Sequence, residues 1–215
     1  MQSTKMIKQW TNLIVSTKYQ RDQILDRFGH LSQKIHAIPV GVIEDDVLTL
    51  PKVAMRDRQP HSLVTVSRLD RQKSVDLQVA AVAQLVEEFP DIQLHGWVYD
   101  KQAALNDKQI FLETSNSEAF GISMMEAQSY GLPLITTPVE SATELIDDGV
   151  SGMIVSDIIE GREKLVKMMA DDIRRLFKDD DQLQAMSDAA YLHRMNFSSE
   201  AVWHNWQLWV ADVEV

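Results

Sequence analysis

A parallel β-sheet with α-helices on both faces, the α/β class, is what this 215-residue sequence predicts. Three observations carry the prediction. Short apolar runs of strand length, S-L-V-T-V-S at 62–67, K-Q-I-F-L at 108–112 and L-P-L-I-T-T at 132–137, alternate with longer segments whose apolar residues recur at helical spacing. The stretch Glu113–Pro133, between two of those runs, reads strand, polar loop, helix, turn, strand. Apolar residues make up 45% and charged residues 25%, the balance of a soluble globular domain.

Composition also excludes. A net charge of −11 argues against bulk binding to nucleic acid or to an anionic membrane, though not against a local basic pocket. With no cysteine there is no disulfide, thiolate metal site or cysteine nucleophile. No apolar run reaches the length of a membrane span, and M-Q-S-T-K-M-I-K-Q-W lacks a signal peptide's apolar core, so the expected location is the cytoplasm.

In order, Thr4–Trp10 reads as the end of a helix and Leu13–Val15 as a short strand. Ser16 and Thr17 start a helix through Phe28, with Thr17 and Gln20 at capping-box spacing and Gly29 as its stop. Lys34–Val40 is a second strand, broken by Pro39 and Gly41. Ile43–Pro60, polar and uneven, reads as a linker. His61–Ser67 is a strand, Val75–Phe89 an amphipathic helix ended by Pro90, and Ile92–Val98 a further strand. Only about ten residues separate Val98 from the strand at Gln109–Leu112, room for one helical turn at Ala103–Leu105, whereas a βαβ unit takes roughly 30. Ile122–Tyr130 has good helix formers between Gly121 and Gly131. Ser141 and Glu144 are spaced as a capping box, Gly152–Val155 is the last strand, and Glu163–Phe177 and Gln182–Met195 are amphipathic helices. Ser198 or Ser199 caps a final helix whose Trp203, Trp206 and Trp209 form a stripe, read as a buried face.

The chemistry concentrates where strands end. In the strand–loop–helix unit, the helix N-terminus points its free N–H groups past the strand's carboxyl edge, where the backbone amides of Phe120, Gly121 and Ile122 can receive an anion. Phe120 reads as a packing residue rather than a stacking platform. Arg68 and Lys73, in V-S-R-L-D-R-Q-K-S, follow another strand and could pair phosphates, or be ordinary charges on a surface turn. Asp70 and Arg71 read as solvated. Glu118 and Glu126 lie eight apart across the turn; among 32 acidic residues such a pair is weak alone, but a carboxylate suits sugar hydroxyls. Asp179–Asp181 contains a D-x-D spacing, yet lies between two helices and reads as a solvated junction.

Taken together, T-S-x-x-E-A-F-G and E-A-x-x-x-G-L-P, each beside an apolar strand, resemble the donor-sugar motif of retaining GT-B glycosyltransferases of family 4. The E-A-F-G variant is similar to bacterial poly(glycerol-phosphate) alpha-glucosyltransferases. The resemblance implies a Rossmann-like sheet, the C-terminal half of a GT-B fold. Residues 1–38 would be a remnant of the N-terminal acceptor domain, 39–196 the nucleotide-sugar-binding domain and 197–215 a helix crossing back. It implies that V-x-R-L-x-x-x-K supplies the diphosphate-binding Arg68 and Lys73, that Glu118 binds the donor sugar and carries the catalytic role, and that Glu126 holds ribose hydroxyls. The family's glycine after the lysine is Ser74 here, which leaves the local turn open. The implied reaction is retaining, metal-independent hexosyl transfer from a nucleotide sugar such as UDP-hexose, with no cofactor. The acceptor would be a cell-wall polymer, polyol phosphate, polysaccharide or protein. By the same resemblance a strand–helix unit is missing near residues 93–108, self-association through the tryptophan face is expected, and the chain alone is incomplete. The alternative is a non-catalytic relative that binds a partner transferase or an acceptor.

Overall fold

The computed structural model describes residues 12–29, 35–92, 96–155 and 161–213. Strands β1 (Leu13–Val15) and β2 (Ile35–Ala37) pair in parallel around helix α1 (Lys18–Arg27). Thr17 caps α1, accepting from the Gln20 N–H at 3.1 Å, while the Gln20 side chain accepts from the Ser16 N–H at 3.0 Å. That is the expected capping box, displaced by one residue at its return bond. The expected apolar face at Ile24, Leu25 and Phe28 buries none of α1's residues.

Among the described residues the main sheet is four parallel strands in the order β3 (Leu63–Val64), β4 (Ile110–Glu113), β5 (Leu134–Thr136) and β6 (Gly152–Ile154). Alternation sorts its side chains. Ile110, Leu112, Ile135 and Met153 enter one core with α3 (Val75–Ala83) and α7 (Arg162–Phe177). Phe111, Leu134 and Ile154 enter the other, against α5 (Ile122–Ser129). Short helices α4 (Lys101–Asp107) and α6 (Ala142–Leu145) flank that second face. Helix α8 (Asp180–His193) packs against both α5 and α7, and α9 (Ser199–Val213) ends the described chain. Helices on both faces of a parallel sheet are the predicted class.

Several elements depart from expectation. The helix at Thr4–Trp10 lies outside the described residues, as do residues 93–95 of the strand expected at Ile92–Val98. Gly96–Val98 is irregular, and Trp97 and Tyr99 are exposed. The strand after His61 is shorter than expected, and β3 forms an edge of the sheet. Helix α4 has seven residues rather than a single turn, because Asp100 caps it through the Ala103 N–H at 2.9 Å and Leu105 buries beneath it.

The expected linker at 43–60 is built into the fold. Ile43 bridges to Ser198, Met55 is buried, and α2 (Asp45–Leu48) lies between. Buried Arg58 donates to the carbonyls of Val53, Leu105, Lys108 and Tyr130, one guanidinium joining three segments. Burial lowers its pKa to about 10, so it stays charged at neutral pH. Asp179 of the D-x-D spacing is the N-cap of α8, accepting from the Gln182 N–H at 2.8 Å, as a helix junction requires. The tryptophan stripe is not a buried face: Trp203 is 64% exposed, while Trp206 and Trp209 are half-buried against each other. Trp209 also meets His36 of β2 edge-on. Among the described residues no helix is long and apolar enough to cross a membrane.

Candidate functional site

Two chain segments meet at the carboxyl edge of the sheet, the turn after β3 and the loop after β4. Backbone and side chains zip them together. The Asn116 N–H donates to the Gln72 carbonyl at 2.8 Å, the Asn116 amide to the Arg71 carbonyl at 3.0 Å, and the Gln72 amide to the Ser117 carbonyl at 3.1 Å. Beneath them the Thr114 hydroxyl donates toward the Lys73 and Ser74 carbonyls, and Gln78 of α3 donates to Thr114 at 2.9 Å. Ser74 answers the question its family position raised. It adopts the left-handed conformation, φ 45° and ψ 41°, that glycine would take at lower cost.

This zip delivers Lys73 into a nest of carboxylates. Its ammonium is ion-paired with Glu118 and lies 3.7 Å from Glu113; Lys73 is 13% exposed, Glu118 14% and Glu113 fully buried. The Ser115 hydroxyl lies 2.6 Å from Glu113 and 3.0 Å from Glu118, so its one proton serves two carboxylates. The Glu118 N–H donates to Glu140 at 2.8 Å. Lys73 and Glu118, predicted from sequence, are thus in direct contact. Arg68 is not brought to them: its side chain is 75% exposed and pairs with Asp70 at 3.3 Å. Asp70, expected to be merely solvated, also caps the turn by accepting from the Lys73 N–H at 3.1 Å. Exposed Arg71 lines a separate cavity of about 380 Å³ with Ser74, Asp76, Asn116 and Arg162.

Beyond the nest, Gly121 takes φ +81° and starts α5 with no side-chain cap. The N–H groups of Ile122 and Ser123 have no acceptor among the described residues, which leaves donors and the positive dipole end for an anion. Phe120 is buried edge-on against Phe197, a packing residue as its sequence context suggested. Ile122 is exposed at the helix start. One turn on, half-exposed Glu126 pairs with Lys101 of α4 at 2.7 Å. A carboxylate from α6 closes the far side. Glu144 accepts from the Lys18 N–H and, at 3.3 Å, from the Tyr19 N–H, while Gln20 donates to the Ala119 carbonyl at 3.2 Å. The capping box expected within α6 is therefore not formed: Glu144 caps α1 instead, and the Ser141 hydroxyl is buried without a partner.

Sequence reasoning missed Glu113, Ser115, Lys101 and Glu144. A charge closing the apolar run I-F-L was the available sign for Glu113, since a strand end that is fully covered admits a carboxylate only with partners. Nothing local marked Lys101, and Glu144 was marked only as a local cap with Ser141; their partners lie 25 and 126 residues away. Chemically, the arrangement offers one held ammonium, open helix N–H groups for an oxyanion, and two carboxylates that can turn to hydroxyls.

Residues 91–193 match the family model described as glycosyl transferases group 1. At the level of individual proteins, the chain is 31% identical over 226 residues to the UDP-N-acetylglucosamine–peptide N-acetylglucosaminyltransferase GtfA subunit of Streptococcus gordonii, covering 90% of this chain and 43% of that protein. The solved structure of a GtfA/B complex superposes with a TM-score of 0.82 at 27% identity, over 97% of this chain and 46% of that one. The pneumococcal O-GlcNAc transferase GtfA, solved with UDP and GlcNAc, gives a TM-score of 0.78 at 27% identity, over 94% and 45%. These structural neighbours are GT-B glycosyltransferases, and this chain has the fold of about half of one. It spans less than half the length of each of these three relatives. The first match is longer than this chain's 215 residues, so the relative carries residues inside the matched region that this chain lacks.

Proposed function

We propose that the chain is the donor-binding half of a family 4 GT-B glycosyltransferase that transfers a hexosyl or N-acetylhexosaminyl group from a UDP-sugar with retention, without a catalytic metal. One observation carries the reading: Lys73 and Glu118 meet at the carboxyl edge of β4, beside the uncapped N-terminus of α5. The donor's diphosphate takes hydrogen bonds from Lys73 and from the N–H groups of Ile122 and Ser123, and from Arg68 once that flexible side chain leaves Asp70. Glu118 exchanges the ammonium for sugar hydroxyls, and Glu126 exchanges Lys101 for those of the ribose. Fixed donors around the departing diphosphate stabilise its developing charge. The GtfA relatives are named for a peptide acceptor, which favours a polypeptide over a polyol phosphate or polysaccharide. The first strand pair with α1 would be the end of the acceptor-side domain, and α9 the helix that returns to it.

Calorimetric titration of UDP tests the site. Arg68→Ala and Lys73→Ala should each weaken binding by about 1.5–3 kcal/mol, the worth of a charged hydrogen bond. Arg71→Ala should change it little. Equal losses from all three would mean a diffuse field rather than a site, and no UDP binding at all would return the non-catalytic reading. Glu126→Gln should weaken UDP but not pyrophosphate, and Glu118→Gln should weaken the sugar-bearing donor more than UDP; swapped patterns would overturn those two roles.

A further inference from the structure

Glu113 is the one carboxylate of the nest that the proposed chemistry leaves idle. It is fully buried at the last residue of β4. One oxygen is saturated, accepting from the Thr114 N–H and Ser115 N–H at 3.0 Å each and from the Ser115 hydroxyl at 2.6 Å. The other oxygen is buried with no hydrogen-bond partner and lies 3.7 Å from the Lys73 ammonium. A buried carboxylate is tolerated only beside a counter-charge, and here that charge is Lys73. Glu118 competes for the same lysine, yet sits on an open loop and is partly exposed, so it can leave; Glu113, pinned by three donors, cannot.

We infer that Glu113 is a positioning residue: the fixed counter-ion that keeps Lys73 at the strand edge while Glu118 is handed from the lysine to the sugar. The inference rests on the donor-site reading above. Without a donor, Lys73 is shared by two carboxylates. When a diphosphate arrives, Lys73 exchanges Glu118 for a phosphate oxygen and keeps Glu113, so one lysine is never left without a partner and Glu118 is released as the sugar needs it. No bond is made or broken in this exchange, and the Ser115 proton, within reach of both carboxylates, stays with Glu113 when Glu118 departs.

Glu113→Gln keeps the shape and an acceptor for the three donors but removes the charge. Lys73 then has Glu118 as its sole counter-ion and is captured by it. Titrating UDP, inorganic pyrophosphate and UDP-N-acetylglucosamine, we expect UDP and pyrophosphate to bind at least tenfold more weakly, and the extra affinity the sugar adds over UDP to be lost. In Glu113→Gln/Glu118→Gln the lysine is no longer captured, and pyrophosphate affinity should recover to within about threefold of wild type. A merely structural role for Glu113 would not produce that rescue. Ser115→Ala, which removes the shared hydroxyl without touching a charge, should shift the same ratio in the same direction by less, and serves if Glu113→Gln does not fold. Wild-type protein that binds neither UDP nor pyrophosphate overturns the donor site and this inference with it. Wild-type binding with unchanged affinities in Glu113→Gln, or in Ser115→Ala where that substitute is needed, overturns this inference alone. Tighter pyrophosphate binding in Glu113→Gln, or no rescue in the double variant, does the same.

Discussion

Two glycines with nearly the same positive φ let the packing at the head of α5 be weighed. Gly121 has φ +81° and Gly149 has φ +75°. A Cβ added at Gly121 would meet Met124 Cε at 2.4 Å, Leu145 Cδ1 at 3.0 Å and Ser141 Oγ at 3.2 Å, whereas one at Gly149 would meet nothing within 4 Å. In both, alanine takes on about 1–2 kcal/mol of left-handed strain, offset by about 0.4–1 kcal/mol from the stiffer unfolded chain. Gly149→Ala should therefore cost roughly 0.5–1 kcal/mol. Gly121→Ala adds overpacking of about 1–3 kcal/mol against fully buried Met124 and Leu145, for a total of about 1.5–4 kcal/mol. Urea unfolding of the two variants beside wild type measures the difference. Because the strained contacts are those that aim the open N–H groups of α5, UDP affinity should fall in Gly121→Ala and not in Gly149→Ala. Equal losses of stability at the two positions would refute the claim that the helix start is tightly packed.

Arg58→Met removes the donors to four carbonyls and should cost about 2–4 kcal/mol in urea unfolding, with Arg58→Lys recovering only part because three ammonium protons cannot serve four scattered acceptors. Full stability of the lysine variant would mean that charge alone matters there. Burial holds the half-buried His193 below its ordinary 6.5, so as pH falls below 6.5 the unfolded chain takes a proton that the folded one does not, and stability drops. The drop should be less than about 1 kcal/mol, given solvent screening, and His193→Gln should flatten it; a wild-type urea midpoint that rises between pH 7 and 5.5 would contradict this. Assayed alone with a UDP-sugar and a peptide or polyol-phosphate acceptor, the chain should bind UDP weakly and transfer little, and exposed Trp203 should promote self-association in light scattering. Rapid transfer by a monomer would show that one half suffices.

What the sequence disclosed, and what it hid, follows from the range of the forces involved. Strands β4 and β5, helix α5 and the cap at Thr17 depend on neighbours within a few residues, and periodicity and spacing revealed them; the cap at Asp179, read only as a solvated junction, emerged with the fold. Lys73 and Glu118 were legible through a motif, but their contact bridges 45 residues and only the fold creates it. The segment 43–60 looked like a linker because its anchors, Arg58 and Met55, find their partners across the molecule. Glu144 misled for the same reason: its spacing from Ser141 suited a local cap, while a free helix start lay closer in space.

That misplaced cap ties the site to the segment that precedes it. The first two amides of α1 take their acceptor from α6, so parting the two elements bares those donors while Thr17 still caps the Gln20 amide. Losing a helix cap costs about 0.5–2 kcal/mol, an upper bound for this contact because Thr17 remains. Two hydrogen bonds thus join α1, which precedes β2, to α6, which follows β5, across 126 residues of chain.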